Sequence, residues 1–426
     1  MSTPHPLATE GPPKHAVLRR DVGVLGATLM GLGSIVGTGV FVSIAIAAGI
    51  AGPAVILAIA LAAVVALCNA LSSAQLAANH PVSGGSYEYG YRYLRPWLGF
   101  TAGWLFLAAK SASAATAALG FSGYLLEAFG VADRTALVAT AFGIVVALGL
   151  VVLSGVKQSS RFNAAVVSVS LLALFAFVVS GIPAAAAGGE NLRPFLPEGP
   201  AALLHAAALM FVAYTGYGRI STLGEEVREP RRTIPLAILA TLGVSAAVYV
   251  AVAAVGVGAA GSAAMAESTS IAASQAVAPL AVVAESFGRP GVARFVAIGA
   301  MAAMLGVLLN LILGLSRVLL AMGRRGDMPA ATARLNAAKT TPYVAVVVVT
   351  IIIAGLTLLG SVKTTWSFSA FTVLIYYGIT NLAALRLPRE ARLYSPVFAW
   401  GGLAACLVLG LIVDHSGDNR LFMLGK

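Results

Sequence analysis

Few residues in this chain have types and spacing that suit chemistry, and most of those are glycine. Gly31, Gly33, Gly37 and Gly39 fall within nine positions, around Ser34, Ile35, Val36 and Thr38. They interrupt an apolar run over about 22–50. Such a run is long enough to cross a bilayer, where a helix needs roughly 20 apolar residues. Each glycine costs a helix about 1 kcal/mol relative to alanine. Non-helical backbone at membrane depth is tolerated only where protein buries it or where it lines a cavity. Two readings follow: a break whose freed backbone groups surround a site, or close packing on a neighbour through small residues. A second interruption, Phe211 to Arg219, contains Gly216 and Gly218 and lies in the sixth apolar run. Breaks in corresponding positions of two halves favour a site of the kind transporters build.

Composition sets the class that must position these breaks. Of 426 residues, 59% are apolar and 10% charged, and mean hydropathy is +0.91. A soluble chain would carry about 25% charged residues, so the reading is an all-α polytopic membrane protein. Cys68 and Cys406 both fall inside apolar runs and read as small buried hydrophobes rather than a disulfide or metal pair. No HExxH motif, paired intramembrane carboxylates or cysteine–histidine cluster supports an enzyme, and no GxxxxGK[ST] loop supports a nucleotide-driven pump.

Eleven spans are expected, at about 22–50, 54–79, 97–127, 134–154, 162–183, 201–226, 234–260, 291–323, 342–360, 365–386 and 395–413. The polar, proline-bearing stretch 188–200 divides two halves, 22–183 and 201–386, and 261–290 reads as short helical pieces forming an outer lid. Residues 1–21 read as a cytoplasmic arm and 414–426 as a short tail. Lys and Arg gather in alternate connections. They stand in the arm (Lys14, Arg19, Arg20) and after the even-numbered spans, as at Arg92 and Arg95 or Arg324 and Arg325, whereas none lies between spans 1 and 2. The positive-inside rule then gives a cytoplasmic N-terminus in the cell inner membrane and, with eleven spans, an external C-terminus. The net charge of +11 is accounted for by topology and an anionic inner leaflet. The lipid bilayer is thus the expected partner. No aromatic–basic interleaving points to nucleic acid.

Four motifs, in order along the chain, resemble the amino acid–polyamine–organocation transporters. They are Gly33-Ser34-Ile35-Val36-Gly37-Thr38-Gly39-Val40-Phe41; Pro81-Val82-Ser83-Gly84-Gly85-Ser86-Tyr87; Phe211 to Gly216 followed by Glu225 to Pro235; and Ser316-Arg317 followed by Met322 to Pro329. The resemblance implies a leucine-transporter fold: two five-helix inverted repeats, spans 1–5 and 6–10, plus one extra span, with helices 1 and 6 unwound at mid-membrane. It implies an amino-acid permease working by alternating access with no cofactor, and leaves proton coupling, sodium coupling and exchange open. A solute sensor or channel on the same scaffold, or a carrier of another small amine or anion, is the competing class; the tails are expected to hold no output domain. Oligomeric state is left open. The chain departs from the family in having eleven spans rather than the common twelve. Ser170 stands where many prokaryotic members place a helix-5 lysine that substitutes for sodium. Gly218 and Arg219 follow Gly216-Tyr217, where an acidic residue is common.

Within that frame an α-amino acid is recognised by its zwitterion. The N-terminus of the second half of helix 1, at Gly37, Thr38 and Gly39, offers unpaired N–H groups and the positive dipole end to a carboxylate. The resemblance assigns the carbonyls of Ile35, Val212 and Thr215 to the ammonium. Ser34, Tyr214 and Tyr217 are candidates to shape the variable pocket, although aromatics in apolar spans also serve as packing. Two intramembrane cations stand out. Lys110 lies more than ten residues from either end of span 3, too deep to snorkel, and a central lysine costs roughly 3 kcal/mol on insertion scales. It is expected to donate to the helix-1 or helix-8 break and to carry the coupling that a neutral Ser170 cannot. Arg219 opens the second half of helix 6, where a cation opposes the dipole. An acidic group or a substrate carboxylate would compensate it.

Overall fold

A computed structural model describes residues 22–80, 84–155, 160–221, 227–269, 278–336 and 341–415. The N-terminal arm, Pro81 to Ser83, Val156 and Lys157, Glu225 and Glu226, part of the expected lid and the last eleven residues lie outside the described residues.

Span 1 is two helices, α1 (Val24–Ile35) and α2 (Ile44–Ala51), joined by an extended Val36 and a π-helical turn over Gly39–Ser43. The chain then reverses at Gly52, whose φ of 62° only glycine adopts freely, and Pro53 starts the next turn. It continues as α3 (Val55–Asn79), the short α4 (Ser86–Tyr93), α5 (Pro96–Ala128), α6 (Arg134–Leu153) and α7 (Ser160–Ala187). The second half repeats the plan. Span 6 is α8 (Gly199–Tyr214), a 3-10 turn over Thr215–Tyr217, and α9 (Gly218–Ser221). Then come α10 (Pro230–Ala260), two short helices α11 (Ser262–Glu267) and α12 (Pro279–Glu285), α13 (Pro290–Arg325), α14 (Tyr343–Thr357), α15 (Val362–Leu385) and α16 (Pro396–His415). The break in span 6 is gentler than full unwinding. The ladder tightens for one turn and then resumes, the kind of 3-10 insertion that marks a hinge.

Among the described residues, nine helical stretches are long and apolar enough to cross a membrane; α1 and α14 are shorter apolar helices. One of the nine, Gly39–Asn79, is the far half of span 1 joined to span 2 through the Gly52-Pro53 turn.

The bundle is organised around α5, which packs on α15, α13, α4 and α6. Its buried face from Ala109 to Ala118 is almost all alanine, serine and threonine. Lipid tails are as apolar as leucine, so small residues that let backbones approach drive such packing. By contrast α6, α7 and α16 carry large exposed apolar side chains, including Leu150, Phe175 and Leu411, which suit a lipid-facing rim.

One face of the bundle carries the start of α1, α4 and the ends of α9 and α13. There Val22 bridges Val227, with Arg228 N–H donating to Val22 C=O at 2.9 Å. Tyr87 and Tyr91 of α4 donate to the carboxylate of Asp327 at 2.6 and 2.7 Å, and Arg325 pairs with Glu88 at 2.6 Å while stacking on both rings. Burial, and then the bond to Asp327, push the Tyr91 phenol up to about 12, so it stays a donor at neutral pH. The opposite face is sealed differently. Tyr124 of α5 donates to Phe41 C=O at 2.8 Å and accepts from Leu280 N–H of α12 at 3.2 Å.

Candidate functional site

The glycines of the first break each meet a different neighbour. A Cβ at Gly31 would strike Ile220 and Thr241; at Gly33, Asn163; at Gly37, Val307; at Gly39, Ala213. On the second break, a Cβ at Gly216 would overlap the carbonyl of Ser34. The glycines are thus sites of close packing at the breaks. Small residues bring five elements close around span 1, and that contact holds the two breaks backbone to backbone.

The breaks open onto a cavity of about 190 Å³. It runs from Thr38, Gly39 and Trp366 toward Gly84, Gly85 and Ala321, the face that carries α4. Ser34, Ile35, Thr38, Gly39, Val212, Thr215, Gly216, Lys110 and Arg219, all singled out in the sequence, line it. Helix restarts at Thr38, and Val40 and Phe41 N–H both turn back to Gly37 C=O at 3.1 Å. The first amides of such a helix have no intrahelical acceptor. Thr38 is 3% exposed, and its buried hydroxyl has no hydrogen-bond partner among the described residues. A buried hydroxyl left unpaired costs about 1–3 kcal/mol, which a bound acceptor would recover.

The three carbonyls expected to receive an ammonium are already touched by hydroxyls. Tyr249 donates to Ile35 C=O at 2.8 Å, Thr215 Oγ1 to Val212 C=O at 2.7 Å, and Tyr377 to Thr215 C=O at 3.4 Å. Each carbonyl keeps a second lone pair. Tyr249 also approaches Ala213 C=O at 3.5 Å, so one hydroxyl spans both breaks.

Lys110 does not reach the helix-1 or helix-8 backbone as expected. Its ammonium donates to Thr215 Oγ1 at 2.7 Å, tying α5 to the 3-10 turn of span 6. It is buried in the middle of α5, and the turn of span 6 supplies its acceptor. Four other candidates are not among the cavity's lining residues. Tyr214 is buried against Tyr249, with its hydroxyl toward Ile59 C=O at 3.4 Å. Tyr217 is buried against Tyr377. Gly37 faces Val307. Ser170 donates to Val166 C=O at 2.8 Å and to Gly299 C=O at 3.2 Å, so it staples α7 to α13. The aromatic walls come instead from Tyr89, Phe106, Trp366, Tyr376 and Tyr377. Trp366 is fixed by its N–H bond to Leu209 C=O at 3.0 Å. Sequence reasoning missed these because aromatics on α4, α5 and α15 look like ordinary packing. The run Trp366 to Tyr377, dense in Ser, Thr and Tyr within a span, was the available signal. Asn310, which reads as interhelical glue, also lines the cavity.

Among the described residues no cluster of His, Cys, Asp and Glu could hold a metal.

A profile of the amino acid permease family matches residues 26–413. The chain belongs to that family. A transporter of Mycobacterium tuberculosis that carries no assigned substrate is 40% identical over 399 residues, covering 94% of this chain and 87% of that one. The branched-chain amino acid permease BcaP of Bacillus subtilis is 32% identical over 345 residues, 77% of this chain and 72% of the permease. Among solved structures, MhsT in complex with L-phenylalanine superposes with a TM-score of 0.62 at 18% identity, covering 93% of this chain and 98% of that one. The fold of this permease is therefore the leucine-transporter fold, two five-helix inverted repeats and an added span, and the protein is a multi-pass membrane transporter rather than an enzyme. The broken first helices of the two repeats, α1/α2 and α8/α9, are the elements that meet at the cavity.

Proposed function

We propose that this permease carries α-amino acids across the cell inner membrane by alternating access, with its N-terminus cytoplasmic. The substrate carboxylate sits at the start of the resumed helix, on the amides near Thr38 and Gly39 and on the Thr38 hydroxyl. The ammonium takes the remaining lone pairs of Ile35, Val212 and Thr215 C=O. The unpaired Thr38 hydroxyl, buried in the cavity wall at a helix N-terminus, carries this reading.

With the α4 face cytoplasmic, the cavity opens inward and the Tyr124 bridge closes the outside. The Lys110–Thr215 bond then acts as a gate element, holding the span-6 hinge until substrate arrives. Arg219 is part of the cavity wall that substrate passes, and Ser170 keeps α7 on α13 without a charge to exchange, so coupling falls to Lys110 or to an ion. The test is twofold. A ligand at 100 times its Kd stabilises the native state by about 2.7 kcal/mol, so amino acids should raise the unfolding temperature of purified protein. Thr38→Val, nearly isosteric, should abolish that shift without lowering the unliganded transition. A full shift in Thr38→Val would remove the assigned carboxylate site.

A further inference from the structure

The charged side chains among the cavity's described lining residues are all basic. Lys110 from α5, Arg219 from α9 and Arg317 from α13 line the cavity, and no Asp or Glu stands among its described lining residues. Lys110 is 9% exposed, and its one hydrogen bond among the described residues is to a neutral hydroxyl, Thr215 Oγ1 at 2.7 Å. An ammonium has three donors, so two remain for a ligand. No carboxylate among the described residues lies within ion-pair distance of it. A buried charge is costly unless it is paired, and here the counter-charge is left to come from the cavity.

Given amino-acid transport as argued above, we infer that the substrate carries a carboxylate on its side chain, which Lys110 binds. The α-carboxylate and α-ammonium of any amino acid cancel, and the helix start near Thr38 already provides for the α-carboxylate. A neutral side chain would leave Lys110 without a counter-charge, and a basic one would add a second cation beside it. An acidic side chain brings one net negative charge to one buried positive charge. Arg317 is exposed on the open side of the wall. Its charge adds potential of the same sign at the entrance, which draws an anion inward.

The experiment compares L-glutamate and L-aspartate with L-glutamine, L-leucine and L-lysine, on intact protein, by calorimetric titration and by competition for uptake into proteoliposomes. Glutamate and glutamine share shape and differ in charge. Wild type should prefer glutamate, and Lys110→Met should lower the glutamate-to-glutamine affinity ratio by about thirtyfold or more, the effect of deleting one partner of a buried charge pair. Lys110→Arg should keep most of the preference. Wild type that takes glutamine or leucine and refuses glutamate overturns the assignment while leaving amino-acid transport standing. An equal loss for glutamate and glutamine in Lys110→Met also overturns it, since the lysine would then hold the α-carboxylate. If none of the five amino acids binds or is carried, the transport reading itself fails.

Discussion

Replacing Gly216 by alanine adds one methyl at the point where the two breaks touch. That methyl would fall within the Ser34 carbonyl group and 2.7 Å from Ile35 Cγ1. Carbon atoms settle at about 3.5–4.0 Å, so the two backbones must part by about 1 Å. The obstacle is main chain and cannot rotate away. Overpacking of this kind costs about 1–3 kcal/mol. The larger effect is on binding, because the same displacement misaligns the amides near Thr38 against the carbonyls of span 6. Loss of one hydrogen bond to a charged group is worth about 1.5–3 kcal/mol, or roughly 10- to 150-fold in affinity. Gly37→Ala is the matched control. Its methyl meets Val307 Cγ2 at 2.7 Å, with the nearest backbone atom, Ala303 O, at 3.8 Å. Valine is held to one rotamer on a helix, so α13 must give slightly, at a cost of about 1–2 kcal/mol, while the two breaks keep their mutual alignment and affinity is nearly kept. Unfolding temperature and substrate Kd measured on both variants decide it. Wild-type affinity in a folded Gly216→Ala protein, or a worse defect in Gly37→Ala, would refute the idea that the breaks form one site by backbone contact.

Further outcomes follow from other contacts. Tyr124→Phe removes both hydrogen bonds of the outer seal, worth about 1 kcal/mol each, and should raise labelling of a cysteine introduced at Ile46, which is buried; unchanged labelling would mean that apolar packing alone closes that face. At the other face, Asp327→Asn should destabilise by about 2 kcal/mol, since two phenols donate to that carboxylate, whereas Glu88→Gln loses only a partly exposed ion pair worth about 0.5 kcal/mol; thermal unfolding orders the two. Gly143→Ala, on a helix surface with nothing within 4 Å of the new methyl, should stabilise by about 0.5–1 kcal/mol. Cysteines introduced at positions 16 and 420 should label from opposite sides of the membrane, and labelling from one side would mean a miscounted span.

The fold was legible because its cause is coarse. Apolar runs of about 20 residues must be helices in lipid, and glycines at Gly37, Gly39 and Gly216 can only weaken them there. The position of the breaks follows from the same logic, so Thr38 and Thr215 stood out in the sequence and line the cavity. Which side chains face the cavity was harder to read. Tyr214 and Tyr217 sit beside a break and still point into packing: Tyr214, ending α8, packs on Tyr249, and Tyr217, ending the 3-10 turn, packs on Tyr377. The aromatic walls come from Tyr376, Tyr377 and Trp366 on a distant stretch, brought in by the packing of α15 on α5. Lys110 was conspicuous for its depth, yet its acceptor depends on how α5 meets α8 and α9, which no spacing in the sequence encodes. Ser170 was placed by alignment with a lysine and turned out to bond across to Gly299, because a short hydroxyl reaches only the next helix.

The central claim is that a carboxylate sits at the helix start by Thr38. The most direct measurement is uptake of a labelled amino acid into proteoliposomes, competed by the unlabelled amino acid and by its methyl ester. The α-ester keeps the side chain and, below neutral pH, the ammonium, and replaces the carboxylate charge by a neutral group one methyl larger. The account predicts strong competition by the free acid and at least tenfold weaker competition by the ester, in line with the loss of a charge-assisted hydrogen bond. Equal competition by acid and ester would contradict it.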